Sequence, residues 1–127
     1  MSAVTISTPV VFGKEVAAFT IKIADMNIGI SCAYALTEGI CQEYLSSGDP
    51  LFRVQAEVTD KEKLKKFFLG FSEAFSEAYI ESMAIYEKIC AAVLDYDAAV
   101  FHAALISFGG QGIAFAAPSG TGKTTHI

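Results

Sequence analysis

The fold of this chain is decided by residues 101–125, which read Phe101-His-Ala-Ala-Leu-Ile-Ser-Phe-Gly-Gly-Gln-Gly-Ile-Ala-Phe-Ala-Ala-Pro-Ser-Gly-Thr-Gly-Lys-Thr-Thr125. The apolar run that begins near Ala99 and ends at Phe108 predicts a strand. Gly109-Gly110-Gln111-Gly112 is typical of a hairpin turn, and Ile113 to Ala117 predicts the returning strand. That strand runs directly into Pro118 and a glycine-rich loop. We therefore expect a hairpin that delivers the loop.

The loop Ala117-Pro-Ser-Gly-Thr-Gly-Lys-Thr124 fits the P-loop pattern Gly-x4-Gly-Lys-Ser/Thr, except that Ala stands at the first position. In a P-loop, backbone N–H groups surround phosphates and the following helix adds its dipole. Lys123 would neutralise the β- and γ-phosphates, and the Thr124 hydroxyl would reach Mg²⁺. The pattern predicts an ATP and Mg²⁺ site, with a turn that binds nothing as the alternative. The expected phosphate-binding residues are Ser119, Gly120, Thr121, Gly122, Lys123, Thr124 and Thr125.

The same stretch resembles the C-terminal catalytic domain of HPr kinase/phosphorylase and its relatives. In that group a histidine opens a strand, a glycine-containing hairpin follows, and the returning strand leads into a Ser-Gly-x-Gly-Lys-Ser/Thr loop. The matching positions here are His102, Gly110, Gly112, Ser119, Gly120, Gly122, Lys123 and Thr124. The loop is also similar to that of ATP-dependent PEP carboxykinase, whose chains are several times longer.

The resemblance implies an HPr-kinase-like phosphotransferase, or a part of one, with ATP, Mg²⁺ and an unidentified phosphoryl acceptor. The catalytic carboxylates of that family follow the P-loop, so we expect this chain alone to be inactive and to hold no catalytic residue. Asp95 and Asp97 precede the strand and are expected at a helix end. The other hypotheses are a PEP-carboxykinase-like ATP site, a non-catalytic nucleotide-sensing module and an interaction protein with a relic loop.

His102 has two interpretations. It could approach the phosphates across the hairpin, or it could be a structural histidine with a satisfied hydrogen bond on the sheet. The structural role is favoured.

The upstream sequence predicts strands and helices by periodicity. Phe19, Ile21 and Ile23 alternate with polar residues, as in a strand, and Asp25-Met26-Asn27 is expected as the turn. Thr59 or Asp60 is expected to cap a helix that ends near Gly70. The further predictions are strands at 28–32 and 52–58, a short helix at 33–45 stopped by residues 46–50, and a long helix at 73–94.

The long helix carries an apolar stripe that includes two tyrosines. Core packing is the favoured interpretation, and a cofactor wall is the alternative. The stripe consists of Phe75, Ala78, Tyr79, Met83, Tyr86, Ile89, Cys90 and Val93. The predicted fold is α/β, with a mixed, partly antiparallel sheet that carries the hairpin and packs the long helix on one face.

Net charge, the length of the apolar runs and the spacing of the cysteines argue against several classes of protein. A net charge of −5 argues against nucleic acid as a partner. No apolar run approaches the length of a membrane span, and the first residues lack a signal-peptide pattern, so we expect a cytoplasmic protein. Cys32, Cys41 and Cys90 show no zinc-site spacing and are expected to be free and buried.

We expect residues 1–127 to form a single domain, the N-terminal portion of a longer kinase-like protein. Within it, residues 1–97 form a strand and helix region, and residues 98–127 form the hairpin, the P-loop and the start of its helix. Hydrophobic residues make up 53% of the chain. Incomplete cover of Phe108, Ile113 and Phe115 is expected to make the protein a homo-oligomer.

Overall fold

The computed structural model describes residues 4–5, 17–70, 75–101 and 103–118. The chain divides into two compact units, Met1–Ala92 and Val93–Ile127. The mixed α/β class that the sequence predicts is confirmed. The expectation of one sheet carrying both the hairpin and the long helix is wrong. The hairpin forms a two-stranded sheet of its own, in the second unit.

The first unit contains a mixed sheet with the strand order β1-β2-β3-β4. Its strands are β1 (Val4–Thr5), β2 (Ala17–Ile23), β3 (Met26–Cys32) and β4 (Phe52–Gln55). Strand β2 pairs in antiparallel with β1 and with β3, whereas β4 pairs with β3 in parallel. A mixed sheet was expected, but β4 is shorter than the predicted strand at 52–58.

The turn between β2 and β3 consists of Ala24 and Asp25, both with positive φ, 48° and 63°. Two such residues match the right-handed twist of the flanking strands. The predicted turn at Asp25-Met26-Asn27 is wrong, because Met26 is already paired with Ile23 and Asn27 with Lys22. Met26 is also buried, which a turn position would not allow.

One face of this sheet forms the core of the first unit. Residues that lie opposite each other in the register share a face, such as Phe19 with Ile30 and Ile21 with Ile28. Ile28 and Ile30 are 0% exposed. The pairing of Ile30 with Val54 extends this face onto β4.

The segment after β3 is broken into helix α1 (Ala35–Ile40) and a 3₁₀ turn (Gln42–Tyr44). The single helix expected at 33–45 is therefore wrong in length. The break falls at Cys41, whose N–H is shared between the carbonyls of Thr37 and Glu38. Gly39 just before it weakens helix propagation.

Helix α2 (Val58–Phe68) begins two residues earlier than a cap at Thr59 would allow and three earlier than a cap at Asp60. Its N-cap is Glu57, and Thr59 and Asp60 lie inside the first turn. The backbone N–H of Glu57 donates to the Asp60 carboxylate at 2.8 Å, as part of a reciprocal capping box. This box explains why β4 stops at Gln55 and why the predicted caps are wrong.

Helix α3 (Glu77–Ala92) is shorter than the predicted 73–94. The Ser76 hydroxyl accepts a hydrogen bond from the Tyr79 N–H at 3.1 Å and so fixes the start of the helix.

Helices α2 and α3 pack through Leu64, Ile80 and Ala84, which are 4%, 1% and 1% exposed. The Lys88 ammonium lies 2.9 Å from the Asp60 carboxylate on the same seam. This ion pair lowers the pKa of Asp60, mainly through the hydrogen bond from Lys88.

Glu81 in the middle of α3 is only 4% exposed. Its two carboxylate oxygens accept hydrogen bonds from the N–H groups of Ala33 and Tyr34, at 2.9 and 3.0 Å. These amides come just before α1, whose N-cap residue Tyr34 makes no cap of its own. Glu81 therefore supplies, from a distant helix, acceptors for the two backbone amides that lead into α1.

Among the described residues, no helix combines the length and the apolar character needed to cross a membrane.

We expect Glu81→Gln to lower the free energy of unfolding by about 2 kcal/mol, because the amide turns an NH₂ group toward a backbone donor and removes a charge-assisted acceptor. Denaturant unfolding monitored by circular dichroism measures this loss. Glu87→Gln on the exposed part of the same helix is the matched control and should change stability little. Equal midpoints for the two variants would contradict the capping role of Glu81.

Candidate functional site

The second unit contains the hairpin that leads toward the predicted P-loop. Its strands are β5 (Ala104–Phe108) and β6 (Gln111–Phe115), paired in register from Ala104 opposite Phe115 to Phe108 opposite Gln111. The hairpin is confirmed, but both predicted strands differ at their ends. Residues 99–101 and 103 are not part of β5, and residues 116 and 117 are not part of β6.

The hairpin turns at Gly109 and Gly110, whose φ angles are +59° and +77°. Both values lie in the left-handed region, which residues with a Cβ occupy at a cost. The paired glycines therefore give the tight two-residue turn that keeps β5 and β6 in register. Gly112 lies within β6 and needs no such freedom.

The residues before β5 form a helix end, as expected for Asp95 and Asp97. The 3₁₀ turn Val93–Tyr96 is followed by Asp97 with φ of 56°. The N–H of Ala98 donates to the carbonyl of Val93 at 3.2 Å, which closes the turn in the manner of a helix C-cap. Both carboxylates therefore lie at a turn that ends a helix.

The predicted site residues lie mostly outside the described part of the chain. β6 ends at Phe115, and Ala116, Ala117 and Pro118 continue without regular structure. The predicted phosphate-binding residues Ser119 to Thr125, including Lys123 and Thr124, are outside the described residues, as is His102. The structure thus describes the hairpin up to the first residues of the loop pattern.

Several large apolar side chains of the hairpin are exposed. Leu105 and Phe108 are 70% and 76% exposed, and Ile113 and Phe115 are 42% and 44% exposed. The expectation that Phe108, Ile113 and Phe115 lack cover agrees with these values.

A second feature, which the sequence did not predict, is a partly open apolar cavity of about 580 Å³ in the first unit. It lies between the sheet face at Ile21 and Ile30 and the helices α1 and α3. This volume falls within the range of small-molecule sites. We call it the α1–α3 cavity. Its lining is Ile21, Ile23, Ile30, Leu36, Thr37, Ile40, Cys41, Tyr44, Tyr79, Ser82, Met83, Ile85, Tyr86 and Ile89.

The cavity changes the interpretation of the stripe on α3. Tyr79 and Tyr86 are 37% and 50% exposed, so they stand at the cavity rather than in the closed core. The core positions are instead Ile80, Ala84 and Ile85, which are nearly inaccessible. Packing was the favoured interpretation. Tyr79 does pack, with its ring stacked on Phe75 at a centroid distance of 5.1 Å, whereas Tyr86 is half-exposed.

Six side chains with a polar group line the cavity, namely Thr37, Cys41, Tyr44, Tyr79, Ser82 and Tyr86. The Ser82 hydroxyl donates to the Tyr79 carbonyl at 2.7 Å and is satisfied. Burial raises the pKa of the Cys41 thiol. The Thr37 hydroxyl is buried, and among the described residues it has no hydrogen-bond partner.

The three cysteines are free, as expected, but only Cys32 is fully buried, and Cys41 and Cys90 are half-buried. Burial raises the pKa of Cys32 to about 11, and the carboxylates of Glu81 and Glu38 act in the same direction. Cys32 and Cys41 therefore remain thiols at neutral pH, which is not the state of a catalytic nucleophile.

Within the described ranges, no three histidine, cysteine or carboxylate side chains come together as a metal site. The one expected metal contact, the Thr124 hydroxyl, lies outside those ranges.

No protein-family model matches this sequence, and searches of curated proteins and of solved structures give no match.

We expect Gly110→Ala to lower the opening free energy of the hairpin by about 1–2 kcal/mol, because alanine is strained at φ of +77°. Amide hydrogen exchange along β5 and β6 measures the change. Gly112→Ala is the matched control, since a Cβ there would lie at an ordinary 3.5 Å from Leu105. Similar exchange rates in both variants would show that the turn does not set the stability of the hairpin.

Proposed function

We propose that this protein binds the phosphates of a nucleotide, with ATP and Mg²⁺ as the expected ligands, through the loop that follows β6. The observation that carries the proposal is the order of elements. An antiparallel hairpin ends at Phe115, and the sequence Ala117-Pro-Ser-Gly-Thr-Gly-Lys-Thr124 follows directly. P-loops begin at the end of a strand, because the backbone amides of the loop must turn sharply around the phosphates.

The chemistry of the loop residues fits a phosphate group. Gly120 and Gly122 permit close backbone approach, and Lys123 brings a positive charge into a chain of net charge −5. The Thr124 hydroxyl is the group that would contact Mg²⁺, which neutralises phosphate charge when bound. Ser119, Thr121 and Thr125 add further hydroxyl donors around the same loop.

We further propose that the nucleotide site belongs to an HPr-kinase-like phosphotransferase. The resemblance of residues 101–125 supports this class, because the hairpin comes before the loop. The phosphoryl acceptor is not identified. We also propose a cytoplasmic location, because ATP is available there.

Lys123→Ala should weaken binding of ATP at least tenfold, since a charge-assisted hydrogen bond contributes about 1.5–3 kcal/mol. Isothermal titration calorimetry with ATP and Mg²⁺ measures the affinity. Lys66→Ala, which removes an exposed lysine of α2, is the matched control and should bind like the wild type. Equal affinity of the wild type and Lys123→Ala would refute the phosphate-binding role, as would no binding by the wild type.

We propose that a second copy of the chain is a partner and that it covers the exposed hairpin. Light scattering at micromolar concentration should show a dimer or a larger oligomer. Phe108→Asp should shift this equilibrium toward the monomer, because it places a charge in an apolar contact. Leu69→Asp is the control, since Leu69 is 81% exposed on the other unit. A monomeric wild type would exclude this association.

A further inference from the structure

We infer that the end of helix α2 binds an anionic lipid surface. The contacting residues are Lys63, Lys66, Phe67 and Leu69, and we call them the α2 tip. The inference is independent of the nucleotide site, because α2 lies in the first unit.

The α2 tip exposes two large apolar side chains. Phe67 is 69% exposed and Leu69 is 81% exposed, more than any other large apolar side chain in the described part of the first unit. The contacts of α2 with the core are made by Leu64, which is buried, and by Phe68, whose ring lies 4.4 Å from that of Phe75. A surface outside this unit would therefore be needed to remove the two side chains of the tip from water.

The ring of Phe67 is already ordered by its neighbour. It contacts the ring of Phe68 edge-on, with 5.3 Å between the two centroids, and Phe68 is itself packed against the core. An ordered side chain loses less conformational entropy when it binds. The tip is thus preorganised to present an aromatic ring to a partner.

Basic side chains surround these two residues. Residues 61–66 contain four lysines and one glutamate, a net charge of +3 in a chain whose net charge is −5. Lys63 precedes Phe67 by four residues and Lys66 precedes Leu69 by three, so each lysine shares a side of the helix with one apolar residue. Both lysines are exposed, and neither forms an ion pair with another described residue.

Other charges near the tip are paired within the protein. Lys65 is paired with Glu77, and the Lys88 ammonium lies 2.9 Å from the Asp60 carboxylate. These pairs do not involve Lys63 or Lys66, so the positive charge of the tip can act on an external anion.

An anionic lipid surface matches the charge and the apolar side chains together. Lysines near such a surface are attracted to the lipid headgroups, and adjacent apolar side chains enter the boundary of the acyl chains. A nucleic acid would match the lysines alone, because the aliphatic Leu69 has no flat face on which a base could stack. Lysines in the last turn also stabilise a helix dipole, but that effect gives no reason for exposed apolar side chains beside them.

The test is co-sedimentation of the complete chain with phospholipid vesicles. Vesicles of phosphatidylcholine with about 30 mol% phosphatidylserine should bind the protein, and pure phosphatidylcholine should bind it at least about tenfold more weakly, because the lysines require lipid charge. Sodium chloride at about 0.5 M should weaken the binding, since it screens these charges. No binding to the anionic vesicles, or equal binding to both kinds, would overturn the inference.

The combined variant Phe67→Ser and Leu69→Ser tests the apolar part. It should bind anionic vesicles at least about tenfold more weakly, because two large apolar side chains no longer leave water. Val58→Ser is the matched control and should bind like the wild type, since Val58 is 66% exposed at the opposite end of the same helix. Undiminished binding by the combined variant would overturn the inference.

The combined variant Lys63→Gln and Lys66→Gln tests the charge and should also weaken binding about tenfold. Its control is Lys22→Gln with Arg53→Gln, which removes the same charge from exposed positions of the sheet. Equal loss of binding in both would overturn the inference, because net charge alone would then decide the affinity.

Light scattering on the variant with Phe67→Ser and Leu69→Ser distinguishes a protein partner from a lipid surface. Its oligomeric state should equal that of the wild type. A wild-type oligomer that this variant converts into a monomer would show that a second copy of the chain covers the α2 tip, and would overturn the inference.

Discussion

The buried carboxylate of Glu81 joins two elements of the first unit that lie far apart in the sequence, helix α3 and the start of α1. Its two oxygens accept hydrogen bonds from the backbone N–H groups of Ala33 and Tyr34, which are 48 and 47 residues away in the sequence. A buried charge is unfavourable unless it is fully hydrogen-bonded, and free amides at a helix start are unfavourable for the same reason. The carboxylate and the two amides therefore satisfy each other's hydrogen-bonding groups, which lowers the free-energy cost of burying them. Helix α1 has only six residues and could not persist in isolation. The position of Thr37, and with it the α1–α3 cavity, therefore depends on α3.

The sequence predicts correctly those strands and helices whose pattern of apolar residues lies within one continuous segment. Strand β2 follows from the alternation around Phe19 and Ile21, and helix α3 follows from apolar spacing. The boundaries depend on interactions that periodicity does not contain. The turn at Ala24 and Asp25 places an alanine at positive φ, although Asp-Met-Asn carries the stronger turn signal. The separation of the sheets could not be predicted either, because alternation shows which residues form strands but not which strands pair.

The predicted P-loop and the α1–α3 cavity also differ in how far each can be predicted from the sequence. A P-loop is a contiguous pattern, so residues 117–125 are enough to predict one from the sequence alone. The α1–α3 cavity is assembled from β2, β3, α1 and α3, and no contiguous motif marks it. Its one sequence signal is the pair Tyr79 and Tyr86, whose phenol groups are poorly suited to a closed core. Thr37 could not be identified in this way, because nothing local distinguishes a threonine whose hydroxyl lacks a partner from one that is satisfied.

The parallel pairing of β3 with β4 has a consequence for the order in which the first unit assembles. Strands β2 and β3 are separated by two turn residues, so they meet at a small loss of chain entropy. Strand β4 reaches β3 only across the whole segment from Ala33 to Leu51, which contains α1 and the 3₁₀ turn. Contacts between distant residues form late, since the entropy of closing a long loop is lost before the contacts compensate for it. We therefore expect the β2–β3 hairpin to form first and β4 to join it next. The contact of α3 with the start of α1, which spans 47 and 48 residues, is expected to form last.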